Sequence, residues 1–167
     1  MYSVSFPVFS EVGMIVAVDD TNLLLAAKVH SIAWQESHRS FCTPDFVESH
    51  TPQRQYDYFR RKIFGGSRIY MIVEDEPIGI VSVSGSLIED LYVLPDRQNM
   101  GYGTRLLQYA IEKCTDTPTL WLLKPNMDAQ RLYRRIGFRP TGRVRSTPGG
   151  IDEVEFALVS YRTKTQR

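Results

Sequence analysis

The period of the apolar positions changes several times along the chain, and each change marks an element. Met14 to Val18 is an apolar, β-branched run and predicts a first strand. Asp19 and Asp20 follow, and either carboxylate could cap a helix. Leu23, Ala26, Ala27, His30, Ala33 and Trp34 then recur at helical spacing, so a helix with one buried face is expected to about Trp34. His30 lies on that face, where a satisfied core or rim histidine is expected rather than a catalytic one. Thr43-Pro44 and Thr51-Pro52 each place a capping hydroxyl before a proline at a first helical position. The second opens a helix with Tyr56, Phe59 and Ile63 inside, ended by Gly65-Gly66. Arg60, Arg61 and Lys62 read as its solvated end, where cations suit the helix dipole.

Ser67 to Val73 and Ile78 to Ser84 form a predicted hairpin across Glu74-Asp75-Glu76-Pro77. Gly85-Ser86 turns into a further strand, Leu87 to Leu94, stopped by Pro95. Gly101 to Cys114 is helical, with Leu106, Leu107, Ala110, Ile111 and Cys114 in phase. Thr119 to Leu123 is a buried strand, and Asp128 to Ile136 is a helix closed by Gly137. Phe138 onward and Ile151 to Val159 are two last strands around the Pro148-Gly149-Gly150 loop. Hairpins followed by a strand–helix–strand crossover predict an α/β fold with a mixed sheet covered by helices. No repeat, linker or low-complexity tract interrupts it, so one domain spans residues 1–167.

Composition narrows the function classes. Twenty basic and nineteen acidic residues leave a net charge of +1, so global electrostatics make no case for nucleic acid or an anionic membrane. No run of about 18 apolar residues is present, so no membrane span is expected. Cys42 and Cys114 are the two cysteines; with no CxxC and no Cys/His cluster, neither a disulfide framework nor a metal site is expected. The N-terminus has no basic region followed by a long apolar one, which points to a cytoplasmic protein. The polar, basic stretch from Tyr161 reads as a solvated tail.

The chemistry concentrates in Ile88 to Thr104: a strand, a loop, then a glycine-bearing helix start. The first amides of a helix have no internal partner and sit at a positive dipole end. Gly101 and Gly103 let a phosphate oxygen approach that backbone, which suggests a pyrophosphate site. A Walker loop would need Lys-Ser/Thr after the second glycine, and Thr104-Arg105 stands there instead. A dinucleotide fingerprint would need GxGxxG and a carboxylate at the end of the next strand, and neither is present.

Gln98-x-x-Gly101-x-Gly103 after Val93-x-Pro95 resembles the acetyl-coenzyme A signature of the GNAT superfamily of N-acetyltransferases. Asn126, Ala129, Tyr133 and Gly137-Phe138 resemble the second half of that family's core. The motif likeness covers about residues 78–140, and the element order matches over nearly the whole chain. The resemblance implies the GNAT fold: about seven strands in a mostly antiparallel sheet with splayed central strands, and about four helices.

It also implies roles. Gln98, Asn99, Met100, Gly101, Tyr102, Gly103 and Thr104 would wrap the pyrophosphate of acetyl-CoA. Leu91, Tyr92 and Val93 would offer a free strand edge to the pantetheine arm, and Asn126 would hold the pantetheine or adenosine end. Tyr133 would protonate the leaving thiolate. Polyamine acetyltransferases of the family carry a Glu-Asp pair where this chain has Glu89 and Asp90. Alternation would put these two on opposite faces of the strand. Glu89 is the preferred base, with Asp90 as charge partner for a cationic substrate. Cys114 lies on an apolar helix face, which disfavours a covalent route.

The expected activity is transfer of acetyl from acetyl-CoA to a primary amine, by direct attack in a ternary complex. A small-molecule acceptor is the default. A protein N-terminus or lysine, or a non-catalytic acyl-CoA-binding module, is the alternative. In the family the acceptor is lined by the segments that correspond here to about Trp34 to Asp45 and Arg143 to Gly150. Glu36, His38, Phe41 and Asp45 would suit a cation, and Arg143 and Arg145 an anion. The resemblance leaves room for a homodimer.

Overall fold

A computed structural model describes residues 13–159. The expectations for the N-terminus and for the tail from Tyr161 lie outside the described residues. Seven strands form one sheet in the order β1-β2-β3-β4-β5-β7-β6. They are β1 (Met14–Ala17), β2 (Arg68–Val73), β3 (Pro77–Ser84), β4 (Leu87–Val93), β5 (Thr119–Leu123), β6 (Phe138–Ser146) and β7 (Asp152–Leu158). The helices are α1 (Leu23–His38), α2 (Pro44–Glu48), α3 (Pro52–Phe64), α4 (Tyr102–Lys113) and α5 (Met127–Ile136). All neighbouring pairs are antiparallel except β4 and β5, which the α4 crossover makes parallel. Among the described residues no helix is long and apolar enough to cross a membrane.

The sheet separates two apolar layers. On one face Leu23, Ala26, Ala27 and Val29 of α1 and Phe59 of α3 pack with Ile69, Met71 and Ile80. On the other, Leu106, Leu107 and Ala110 of α4 and Tyr133 of α5 pack with Ile72, Ile78, Val81, Val83, Ile88 and Leu120. This two-sided burial explains the near-continuous apolar run of β3. Gly79 permits it locally. A Cβ there would lie 2.8 Å from the Tyr92 carbonyl oxygen and 2.9 Å from Leu106 Cδ1, so α4 could not sit as close to β3 and β4.

Several boundaries move, and two moves matter. Helix α1 continues to His38, a full turn beyond the expected end, which brings Ser37 and His38 to the sheet's centre. Its N-cap is Asn22, not Asp19 or Asp20; Asp19 instead accepts a bond from the Thr21 amide. Both Thr-Pro starts are helix starts, although only Thr51 caps with its side chain, accepting from the Arg54 amide at 3.2 Å. The first start makes the short α2, so the described residues hold five α-helices where about four were expected.

Candidate active site

Three features organise the site around strand β4. First, it pairs with β5 only at Leu87 opposite Thr119 and Ile88 opposite Leu120. Beyond these residues the two strands diverge, and the edge of β4 from Glu89 to Val93 that faces β5 has no strand partner. Unpaired backbone amides and carbonyls of this kind are a template for one more extended chain. The splay and free edge expected at Leu91, Tyr92 and Val93 are therefore present.

Second, β4 bulges. Ile80 pairs with Tyr92 and Ser82 with Glu89, so β4 has one residue more than β3 across this step. Asp90 sits in the extra length with φ of +53°, a left-handed conformation that costs a non-glycine residue about 1–3 kcal/mol. The bulge overturns the expected alternation. Both Glu89 and Asp90 reach the same atom, Lys62 Nζ, at 3.0 Å and 2.6 Å.

Third, that atom was expected in solvent. Lys62 is only 12% exposed at its side chain, and Asp90 10%. Lys62 also donates to Ser82 Oγ at 2.9 Å. Ser82 Oγ donates in turn to Asp90 Oδ2 at 2.6 Å, and Tyr58 donates its hydroxyl to Asp90 Oδ1 at 3.1 Å. His30 Nε2 lies 3.4 Å from Asp90 Oδ1, an electrostatic contact rather than a formed hydrogen bond. The His30 ring is buried against Tyr58, Phe59 and Tyr92, so it is a core histidine as expected, but not a satisfied one. Burial alone would raise the Asp90 carboxyl. His30 and Lys62 outweigh burial and hold it well below the usual carboxylate range. Burial would lower Lys62, but Asp90, Tyr58 and Glu89 together push it above its ordinary value. The place expected for a substrate cation beside Asp90 is therefore taken by the protein's own Lys62.

Between the diverging strands lies a cavity of about 120 Å³ whose walls include Glu89, Asp90, Tyr92, His38, Asn126 and Tyr133. Asn126 caps α5, its Oδ1 accepting from the Ala129 amide at 3.1 Å. One turn after Ala129, Tyr133 faces the same cavity; burial pushes its hydroxyl up to about 12, so it keeps its proton at neutral pH. His38 Nδ1 is 2.9 Å from the Trp34 carbonyl oxygen and 2.8 Å from Ser37 Oγ. A carbonyl can only accept, so Nδ1 carries the proton and Nε2 the lone pair. Burial lowers His38 to about 4, which keeps it neutral. A wider hollow of about 370 Å³, lined by Asp57, Arg60, Arg61 and Phe64, belongs to the outer side of α3 alone and is away from this chemistry.

At the far end of β4 the chain prepares a second surface. Asn99 (φ +60°) and Gly101 (φ +90°) turn left-handed and lead into α4. The first bond of the helix runs from the Arg105 amide to the Gly101 carbonyl at 3.1 Å. The amides of Tyr102, Gly103 and Thr104 thus precede the ladder, at the positive end of a helix of 12 residues. Gln98 Nε2 donates to the Val93 carbonyl at 3.2 Å, and Tyr102 donates to Glu74 Oε1 at 2.6 Å, so these side chains brace the turn from outside. Met100 projects into solvent. A Cβ at Gly103 would be 3.6 Å from Leu132 Cδ2, an ordinary contact, so the fold itself does not demand glycine there.

The expected acceptor walls are only partly in place. His38 and Ser37 face the cavity, whereas Glu36 pairs with Arg39 in solvent. Arg143 and Arg145 pair with Glu155 at 3.0 Å and Glu153 at 2.6 Å and lie over Trp121, so neither is an unclaimed cation. Cys114 donates to the Ala110 carbonyl, and burial pushes its thiol up to about 11, which does not suit a nucleophile.

Residues 26–138 match the family model of the acetyltransferase (GNAT) family, and the chain belongs to that family. Part of it is 30% identical over 69 residues to the peptidyl-lysine N-acetyltransferase YjaB of Escherichia coli strain K12; the match covers 41% of this chain and 46% of that protein, less than half its length. The fold is similar to that of PaiA N-acetyltransferase from Thermoplasma acidophilum, solved in complex with coenzyme A: TM-score 0.65 and 18% identity over 86% of this chain and 98% of that one. It is also similar to the ribosomal-protein-S18-alanine N-acetyltransferase of Escherichia coli: TM-score 0.67 and 19% identity over 93% and 99% of the two chains.

Proposed function

We propose that the protein is an acetyl-CoA-dependent N-acetyltransferase acting on a primary amine. The observation that carries this reading is the divergence of β4 from β5 beyond Ile88, with Glu89 and Tyr133 on the walls of the resulting cavity. The pantetheine arm would lie along the free edge of Leu91, Tyr92 and Val93. The pyrophosphate would rest on the amides around Gly101 to Thr104. Each proton then has a route. Glu89 takes one from the ammonium group, directly or through water, because only the neutral amine attacks. The amine nitrogen bonds to the thioester carbon; as the tetrahedral adduct collapses, the C–S bond breaks, Tyr133 gives its hydroxyl proton to the departing thiolate, the nitrogen loses its second proton to water, and Glu89 releases its proton to solvent. Solvent reprotonates Tyr133.

A small amine remains the first reading of the acceptor. An amine on a protein is the second, favoured by the partial likeness to a peptidyl-lysine N-acetyltransferase. A cytoplasmic setting belongs to the same proposal. Thiol release from acetyl-CoA, measured against small amines, free α-amines of peptides and lysine peptides, tests both readings. Turnover confined to peptides would remove the first. Coenzyme A binding by calorimetry without thiol release from any amine would leave a non-catalytic acyl-CoA-binding module.

A further inference from the structure

Lys62 stands out among the charged residues because nothing in the reaction just described requires it. It leaves α3 between Arg61 and Ile63, crosses to the bulge of β4 and satisfies three acceptors on two strands: Ser82 Oγ, Glu89 Oε1 and Asp90 Oδ2. The bulge needs such a tie. Asp90 is held left-handed at the extra residue of β4, a strained conformation that surrounding contacts must offset. The two carboxylates also need it. They converge on one point from adjacent residues, where like charges repel unless a cation lies between them. Both carboxylates line the cavity, but Glu89 remains 35% exposed at its side chain against 10% for Asp90.

We propose that Lys62 is a positioning residue for the acetyl-transfer reaction: it locks the β4 bulge, engages Asp90 inside the protein and aims the Glu89 carboxylate at the acceptor amine. The proposal rests on Glu89 as base. It has a consequence for the acceptor: Asp90 is not offered to a substrate cation, so a second positive charge on the amine gains little there. The other titratable groups facing this cluster are His30 of α1, Tyr58 of α3, Tyr92 of β4 and, across the cavity, His38 of α1, Tyr133 and Glu153.

Lys62→Gln and Lys62→Arg separate the charge from the packing. With the charge gone, one proton is shared by Glu89 and Asp90, so the acidic midpoint of the kcat profile rises by about one pH unit. In the same variant kcat falls roughly 10–100-fold while the acetyl-CoA dissociation constant stays within about twofold. Lys62→Arg keeps the parent midpoint. Adding Asp90→Asn to Lys62→Gln removes the repulsion and brings the midpoint back. A carboxylate ¹³C titration reads the shared proton without turnover, and it also serves if the Lys62→Gln enzyme is inactive. Equal midpoints in Lys62→Gln and Lys62→Arg, or an unmoved titration, would overturn the proposal, as would a Lys62→Gln chain that fails to fold while folded Lys62→Arg has a shifted midpoint. Glu89→Gln separates the two readings. If it leaves kcat intact, the assignment of the base fails; if it abolishes turnover and Lys62→Gln moves no midpoint, only the role of Lys62 fails.

Discussion

The two ends of β4 are built by opposite means. At Glu89 and Asp90 the strand is gripped by side chains from α1, α3 and β3, and the polar groups of Asp90, Lys62, Ser82 and Tyr58 are bonded to one another. Past Val93 the chain presents backbone: left-handed Asn99 and Gly101, then the first amides of α4, with the side chains of Gln98 and Tyr102 turned to bracing. Chemistry that would hold and move a proton needs charged groups paired and held in fixed positions. Anchoring a diphosphate needs only aligned amides and room. Substitutions should therefore act differently at the two ends, through charge at the first and through space at the second.

The largest effect should come from the groups proposed to move protons. Tyr133→Phe and Glu89→Gln are each expected to lower kcat by about 10²–10⁴ with acetyl-CoA affinity kept. The Glu89→Gln defect should shrink as pH rises and more of the amine is neutral by itself. Steady-state kinetics across pH decides this; a kcat within about twofold of the parent for Tyr133→Phe would make it a packing residue.

At the other end of β4, Gly103→Asp should weaken coenzyme A binding roughly 10–100-fold, since hydrogen bonds to a charged group are worth about 1.5–3 kcal/mol. The added Cβ meets only ordinary contacts, so circular dichroism should stay native. Calorimetry showing unchanged affinity would remove the phosphate role from this turn.

Asp90→Asn tests the side-chain grip directly. It removes the closer partner of Lys62 while Glu89 and Ser82 remain, so the loss is that of a charge-assisted hydrogen bond, about 1.5–3 kcal/mol. At about 2–4 °C per kcal/mol, the melting temperature should drop by roughly 5 °C. A stable Asp90→Asn protein with a raised KM for dicationic amines would instead return Asp90 to the substrate.

The smallest effect concerns His38, stacked on Trp34 with His50 on the ring's other face. Its folded value is about 4 against an ordinary 6.5, so the unfolded chain binds the extra proton first. The contribution is whole above about 6.5 and is lost as pH falls toward about 4. His50 is shifted in the same direction by burial. Denaturant melts of His38→Gln should show a shallower fall in stability over that window, with no change at neutral slope. A slope equal to the parent's would show that His38 is not what titrates.

The sequence by itself determined what depends on consecutive residues. The helix and strand periods, both Thr-Pro helix starts, the turn at Gln98 to Thr104 and the Asn126–Tyr133 spacing are local patterns, and the local backbone follows them. Tertiary structure decided what depends on distance along the chain. Lys62 sits in a run of three cations, which is ordinarily a solvated face; its position three residues after buried Phe59 was the one hint that it flanks the packed side. Only the docking of α3 on the sheet brings it to residues 20, 27 and 28 positions away. The shared side of Glu89 and Asp90 follows from a bulge that alternation cannot register, because alternation assumes a regular strand. The added turn of α1 that carries His38 to the cavity is kept where the 3.6-residue pattern fades, at a site where packing outweighs propensity. Long-range contacts decide where charges are buried, and no local pattern reports on which distant partner will be there to pair them.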